Sequence, residues 1–176
     1  MDNPMSSLDF RVMSLGFKIR DLVRPRSLVL KEAAIKPGAT VLDYGCGPGS
    51  YTAALARSVG PTGHIYALDI NPAAIRITER LAASRKIRNL TTILSDCDTG
   101  LPDASVDVAL LYDTFHHLSR PEDILKELHR VMKPGGLLSF SDHHMKEQEI
   151  LTGVTGSRLF EFERKGKNTY SFRRPR

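Results

Sequence analysis

The sequence predicts an α/β fold in which helices cover both faces of a parallel sheet. Short apolar segments of strand length alternate along the chain with segments of helical periodicity. A glycine-rich loop joins the first of these strands to the next helix, as in folds that bring backbone close to a ligand. The 176 residues fit a single domain, and we expect its site at the carboxyl ends of the strands.

The elements follow in regular order. Predicted helices cover residues 6–23, 27–34, 51–59, 72–86, 121–132 and 146–151, with Ser50 capping the third of them. The first predicted strand ends at Leu42. The other six predicted strands cover residues 64–68, 90–94, 105–111, 137–141, 159–163 and 168–173. Residues 27–176 form the core of the domain, and residues 1–26 carry an N-terminal helix that either packs on it or lies over the pocket as a lid.

Composition excludes several classes of protein. No apolar run reaches the length of a membrane span, and the N-terminus lacks a signal-peptide pattern, so a cytoplasmic protein is expected. Two cysteines make no disulfide framework. The net charge of +5 reflects basic residues near both ends, interpreted as solvated faces because no aromatic residues interleave them. Nucleic acid is therefore a less favoured partner, and the oligomeric state, including a homodimer, stays open.

The glycine loop favours a zwitterionic nucleoside as ligand. Gly45, Gly47 and Gly49 give the pattern G-x-G-x-G, whereas the dinucleotide fingerprint G-x-G-x-x-G would need glycine in place of Ser50. Asp43, at the end of the strand, would repel a pyrophosphate but suits an ammonium group.

A carboxylate follows the second predicted strand at the spacing expected for ribose binding. Asp69 lies 20 residues after Gly49, and its two oxygens can accept hydrogen bonds from the ribose hydroxyls. Ile70 can then pack on the adenine face. The alternative is that Asp69 only supplies negative charge to the start of the following helix.

The segment Asp43–Gly49 (DYGCGPG) resembles the first motif of class I S-adenosylmethionine-dependent methyltransferases of the ubiquinone/menaquinone-methyltransferase-like group. The helix, Pro-Gly-Gly turn and apolar strand around residues 133–141 are also similar to that group. The resemblance implies a three-layer αβα Rossmann-like sandwich with a seven-stranded, mostly parallel sheet. Its strand order would be 3-2-1-4-5-7-6, with strand 7 antiparallel. S-adenosyl-L-methionine would be the cofactor and S-adenosyl-L-homocysteine the product.

The resemblance also implies a set of binding residues. The glycine loop would hold the amino-acid part of the cofactor, Asp96 would face the adenine amine, and Cys97 would touch the ring. The expected cofactor-binding residues are Asp43, Gly45, Cys46, Gly47, Gly49, Asp69, Ile70, Asp96, Cys97 and Tyr112.

Two histidine pairs follow strands that should be neighbours in the sheet. His116-His117 lies beside Asp113, and His143-His144 follows Asp142. Such a cluster can bind a divalent metal, supply a general base near neutral pH, or cap the strand ends. We take His116 and Asp113 as the candidate catalytic residues and assign no metal.

Together these features predict a methyltransferase that acts on a small-molecule acceptor by in-line displacement. Two alternatives remain: a methyltransferase acting on RNA or protein, and a non-catalytic sensor or activating subunit that binds S-adenosylmethionine.

Overall fold

The computed structural model describes residues 26–176. The helix predicted over residues 6–23, with its lid role, lies outside the described residues. The helices are α1 (Arg26–Glu32), α2 (Thr52–Val59), α3 (Pro72–Ser84), α4 (Pro121–Val131) and α5 (Glu147–Thr155), with a 3₁₀ turn at Phe115–His117. The strands are β1 (Thr40–Tyr44), β2 (His64–Asp69), β3 (Leu90–Leu94), β4 (Val106–Tyr112), β5 (Met132–Ser141), β6 (Glu161–Lys165) and β7 (Tyr170–Arg173).

The seven strands form one sheet in the order β3-β2-β1-β4-β5-β7-β6. Strands β1 to β5 pair in parallel, and β7 runs antiparallel to both β5 and β6. The predicted fold class and strand order are therefore confirmed.

Alternate residues of β1 enter two separate cores, because successive side chains of a strand point to opposite faces. Val41 packs with α1 and α2, whereas Leu42 packs with α4 and α5 on the other side. Both residues are fully buried, as a parallel sheet covered on both faces requires. The fold is a three-layer sandwich.

Several boundaries differ from the sequence predictions. Strand β5 starts at Met132 rather than Leu137, and a register shift opposite Val106–Val108 lets the Pro-Gly-Gly segment bulge out of the pairing. Helix α2 starts at Thr52, and its N-cap is Tyr51 rather than Ser50, without a side-chain cap hydrogen bond. Within residues 26–176, no helix has the length and apolar character that crossing a bilayer would demand.

Strand register places the site. Tyr112 of β4 pairs with Ser141 of β5, and the amide of Asp113 donates to the Ser141 carbonyl at 2.7 Å. The residues that follow these two strands therefore emerge side by side at the carboxyl edge. The loops after β1 and β2 reach the same edge, where open parallel sheets bind their ligands.

Candidate functional site

The glycine loop after β1 is held in a conformation that side chains would disrupt. Gly45, Gly47 and Gly49 have φ values of 78°, 53° and 77°, in the left-handed region. A Cβ on Gly45 would lie 2.4 Å from Thr114 Oγ1, so glycine is required for this loop to touch the loop after β4. Among residues 26–176, no atom lies within 4 Å of a Cβ placed on Gly47, which leaves that part of the backbone open to a ligand on the described side.

Asp69 links the glycine loop to the end of β2. One carboxylate oxygen accepts from the Gly47 amide at 2.9 Å, and the other accepts from the Asn71 amide at 2.8 Å. Burial raises the pKa of Asp69 above its usual value, although backbone amides partly oppose the shift. Asp69 therefore fixes the loop and still has lone pairs for a ligand. Ile70, the next residue, is half-buried.

Asp43 and Cys46 lie beneath the loop. Asp43 is buried in β1, with an exposed fraction of 2%. The Cys46 thiol faces α3, 3.9 Å from Thr78 Oγ1, and its pKa is raised well above normal by burial and by the nearby Asp43 and Asp69 carboxylates. The side chain of Cys46 is therefore an inert thiol in the core, and contact with a ligand is left to its backbone.

The loop after β3 brings Asp96 and Cys97 to the same edge. The Tyr44 hydroxyl donates to the Asp96 carbonyl at 2.8 Å, which ties this loop to the end of β1. The Asp96 carboxylate pairs with Arg120 at 3.2 Å on a half-exposed surface. Burial raises the pKa of Cys97. A cavity of ≈ 450 Å³ lies beside Asp96, Cys97 and Arg120 and continues along the charged side of α4.

Tyr112 ends β4 with its side chain buried. Its hydroxyl is 2.7 Å from Ser139 Oγ, and its ring packs against Tyr51 with centroids 5.0 Å apart. Burial raises the pKa of Tyr112, so the phenol stays protonated. Its carbonyl accepts from Thr114 Oγ1 at 2.9 Å. The ring thus supports the strand end on which the loop Asp113–Leu118 is built.

His116 forms a pair with Asp142 from the neighbouring strand end. Its Nδ1 lies 2.8 Å from Asp142 Oδ2, and the Asp142 side chain is fully buried while His116 is 18% exposed. The backbone amides of His116 and His144 also donate to this carboxylate, at 3.2 and 3.1 Å. A proton on Nδ1 is therefore donated to Asp142, which leaves Nε2 as the imidazole's acceptor.

A second carboxylate–imidazole pair joins the same two strand ends, with the carboxylate now after β4 and the imidazole after β5. Asp113, after β4, accepts hydrogen bonds from the Nδ1 atom and the backbone amide of His143, after β5. This pair is more open, with His143 55% and Asp113 26% exposed. Each strand end thus contributes one carboxylate and one imidazole, and each carboxylate binds the other strand's imidazole.

Three of the imidazole rings lie against one another, tilted by 44° and 42°. The ring of His116 lies 3.8 Å from that of His117 and 4.3 Å from that of His144, centroid to centroid. Burial lowers the pKa of His117, and the neighbouring His116 lowers it further. Among the described residues, no three His, Cys, Asp or Glu side chains are arranged to hold a metal ion.

The structure brings most of the expected residues to one edge, and it adds partners that the sequence analysis did not assign. Asp142 orients His116, Thr114 packs on the glycine loop, and Tyr44 anchors Asp96. A signal for Asp142 was present, because it directly follows a strand predicted to lie beside β4. The crossed pairing was not visible, since it depends on register.

Comparison with known proteins decides the family. The family described as "Methyltransferase domain" matches residues 35–168, which is most of the chain. The chain belongs to this family. The predicted resemblance is confirmed.

Individual relatives agree with the family. A demethylmenaquinone methyltransferase of Geobacillus stearothermophilus is 32% identical over 126 residues, covering 71% of this chain and 54% of the relative. A ubiquinone/menaquinone biosynthesis C-methyltransferase of Hydrogenovibrio crunogenus is 28% identical over 152 residues, covering 85% and 59%. The chain thus spans little more than half the length of these curated relatives. A SAM-dependent methyltransferase from Aquifex aeolicus is 28% identical with a TM-score of 0.75, covering 89% of this chain and 96% of the other.

Proposed function

We propose that this chain transfers a methyl group from S-adenosylmethionine to a small-molecule acceptor, as a single domain whose core covers residues 27–176. The observation that supports it most strongly is the buried Asp142 carboxylate bound to His116, because the pair lies at the edge that also carries the glycine loop and Asp69. A buried carboxylate on a partly exposed imidazole is a common arrangement for a general base.

The residues of the edge fit a sulfonium nucleoside. The open space beside Gly47 leaves room for ligand against the backbone, and the carboxylates of Asp43 and Asp69 suit a ligand with positive charge and hydroxyl donors. When bound, S-adenosylmethionine supplies an electrophilic methyl group on its sulfonium.

Each part of the cofactor has candidate residues. We assign the amino-acid part to Asp43 and the backbone of the glycine loop, the ribose to Asp69, and the methionine portion to the region of Tyr112. The adenine is assigned to Ile70, Asp96 and Cys97. Their common place at the carboxyl ends of β1 to β4 supports the assignment.

His116 would act on the acceptor. Its Nε2 can take a proton from an acceptor hydroxyl, and Asp142 stabilises the imidazolium that results. The pair of Asp113 and His143 is more exposed than the first pair, and we propose it as a contact for the acceptor. General-base catalysis contributes about 10²- to 10⁴-fold to a rate.

The acceptor that we propose to test first is a small aromatic hydroxyl compound of the quinol type. The names of the curated relatives support this choice, and a base beside the site suits an acceptor whose nucleophilicity rises when a hydroxyl loses its proton. Only a short segment joins β5 to β6. Which acceptor is methylated would therefore depend on the shape of the pocket.

The experiment measures transfer of a radiolabelled methyl group to demethylated quinols and to fractions of cell extract, together with calorimetry of S-adenosylhomocysteine. His116→Ala should lower turnover ~100-fold or more while leaving the cofactor's Kd unchanged. His64→Ala is the matched control, because His64 hydrogen-bonds Thr91 at the opposite end of the sheet. Undiminished turnover in His116→Ala, or a loss of turnover that a weakened cofactor Kd accounts for, would refute the assignment. Binding without transfer to any fraction would indicate a non-catalytic sensor.

A further inference from the structure

A second large concavity lies far from the catalytic edge. A groove of ≈ 950 Å³ runs between the end of α2, the Gly60-Pro61 turn and the segment that joins α3 to β3. Asn89 shapes its floor by donating from its side-chain amide to the carbonyls of Gly60 and Gly63, both at 2.9 Å. The groove is at the amino ends of β2 and β3, and Asp69 ends the same β2 strand about 17 Å away.

The groove is strongly basic. Four of the residues that line it are cationic and none is acidic: Arg57, Arg85, Lys86 and Arg88. All four are exposed. Across residues 26–176, none of them forms a salt bridge with a carboxylate, whereas Arg120, Arg130, Lys133, Lys165 and Arg173 all do. The groove therefore gathers four cations that have no carboxylate partner within the described residues.

Helix ends account for only part of this cluster. Arg57 lies in the last turn of α2, and Arg85 is the C-cap of α3, where a cation favours the negative end of the helix dipole. Lys86 and Arg88 lie beyond the end of α3, and Lys86 has a φ of 55°. Lys86 directly follows the C-cap, and its amide donates to the Ala83 carbonyl, so the helix dipole also favours its charge. Arg88 has neither a helix end nor, within residues 26–176, an ion pair to explain its charge.

The lining of the groove selects among anionic partners. Among the described residues, its lining contains no aromatic side chain, and its apolar part comes from Ala53, Ala56, Pro61 and Ile87. It therefore lacks the aromatic anchors of a protein interface and any platform for stacking bases. A concave surface also fits a bilayer plane poorly. Guanidinium groups bind phosphate oxygens in a bidentate manner, and three of the four cations are arginines.

We propose that this groove docks the phosphodiester backbone of a nucleic acid, independently of base sequence. The inference goes beyond methyl transfer and does not depend on it, because the groove and the catalytic edge are at opposite ends of the sheet. It also differs from an interpretation based on the basic chain ends, since all four cations lie in the middle of the sequence.

The test is fluorescence anisotropy of a labelled 12-nucleotide oligouridylate with the full chain. Four neutralised phosphates predict a slope of about −2.8 in log K against log salt, hence ~50-fold weaker binding at 200 mM than at 50 mM salt. In the double variant Lys86→Glu/Arg88→Glu, the slope of log K against log salt should fall to about half its wild-type value. The affinity of this variant at 50 mM salt should be ~tenfold or more below that of the wild type. Oligothymidylate DNA of the same length should bind like the RNA.

The double variant Arg76→Glu/Arg80→Glu is the matched control, because it makes the same charge change on exposed positions of α3 outside the groove. It should keep wild-type affinity, and both variants should keep the wild-type melting temperature and Kd for S-adenosylhomocysteine. Equal losses in the two variants, or undiminished binding by the groove variant, would overturn the proposal. The proposal would also be overturned if the wild-type chain bound phosphatidylglycerol vesicles but no oligonucleotide, and if the groove variant no longer bound the vesicles.

Discussion

Asp69 offers the sharpest test of how the site recognises a nucleoside. In Asp69→Asn, one carboxylate oxygen becomes an amide nitrogen that cannot accept a hydrogen bond. Both oxygens already accept backbone amides, from Gly47 at 2.9 Å and from Asn71 at 2.8 Å. Losing a charged acceptor for the ribose hydroxyls should weaken S-adenosylhomocysteine binding by about 1.5–3 kcal/mol, or about 10- to 150-fold in Kd.

A loss of affinity alone would not separate ribose binding from loop support. Calorimetry with the 2′,3′-dideoxy analogue of S-adenosylhomocysteine makes that separation. The wild type should bind the analogue about 10- to 150-fold more weakly than the parent compound, whereas Asp69→Asn should distinguish the two ligands by about threefold or less.

Asp98→Asn is the control, because Asp98 accepts the Gly100 amide at 2.9 Å in an exposed turn away from the ribose assignment. It should bind both ligands like the wild type. If the effects of Asp69→Asn and of removing the hydroxyls simply add, Asp69 supports the loop without touching the ribose, and the assignment is wrong.

Three further predictions concern the loop and the frame around it. The new Cβ of Gly47→Ala meets no atom of residues 26–176 within 4 Å, but the alanine must adopt a φ of 53°. The variant should therefore cost about 1–2 kcal/mol of stability by urea unfolding, and it should reduce calorimetric cofactor affinity much more than Gly60→Ala, which is equally unhindered by the described residues. Hydrogen bonds from Arg130 lower the pKa of Glu127 to about 2, so the ionised carboxylate stabilises the fold above its unfolded pKa of 4.5. In urea titrations, the wild type should be more stable than Glu127→Gln by about 1–2 kcal/mol, and this difference should disappear as the pH falls from 4.5 towards 2. A difference that persists at pH 2 would contradict the linkage. Glu32 accepts the backbone amides of Asn168 and Thr169, both at 3.0 Å, so Glu32→Ala should cost about 1–3 kcal/mol by urea unfolding, against less than about 1 kcal/mol for the exposed ion pair lost in Glu163→Ala.

The sheet was predictable because its signals are local. Strand β3 has the bounds expected from its apolar segment, and β2 extends only one residue further. The glycine loop was predictable for the same reason, since three positions with positive φ favour glycine whatever surrounds them. The strand order came from resemblance to a family, not from any single strand.

The pairing of His116 with Asp142 was not predictable, because it is a consequence of register. The partner of His116 is Asp142, 26 residues away, and only the alignment of Tyr112 with Ser141 brings them together. A shift of one residue would have turned these side chains to the opposite faces. The early start of β5 was missed for a related reason, since a bulge lets the Pro-Gly-Gly segment interrupt a strand that resumes beyond it.

The basic groove was missed because its cations come from separate elements. Arg57 closes α2, whereas Lys86 and Arg88 follow α3, and the amide of Asn89 draws the two segments together through Gly60 and Gly63. Along the sequence these cations are ordinary surface residues, while the visible excess of charge lies near the chain ends.

The ligand of the carboxyl edge is tested most directly by calorimetry of the purified chain with S-adenosylhomocysteine and, in parallel, with NADH. The glycine spacing, the open backbone at Gly47 and the carboxylates of Asp43 and Asp69 predict binding of one S-adenosylhomocysteine per chain and no heat from NADH. Binding of NADH with no response to S-adenosylhomocysteine would contradict the assignment of this edge to a sulfonium nucleoside.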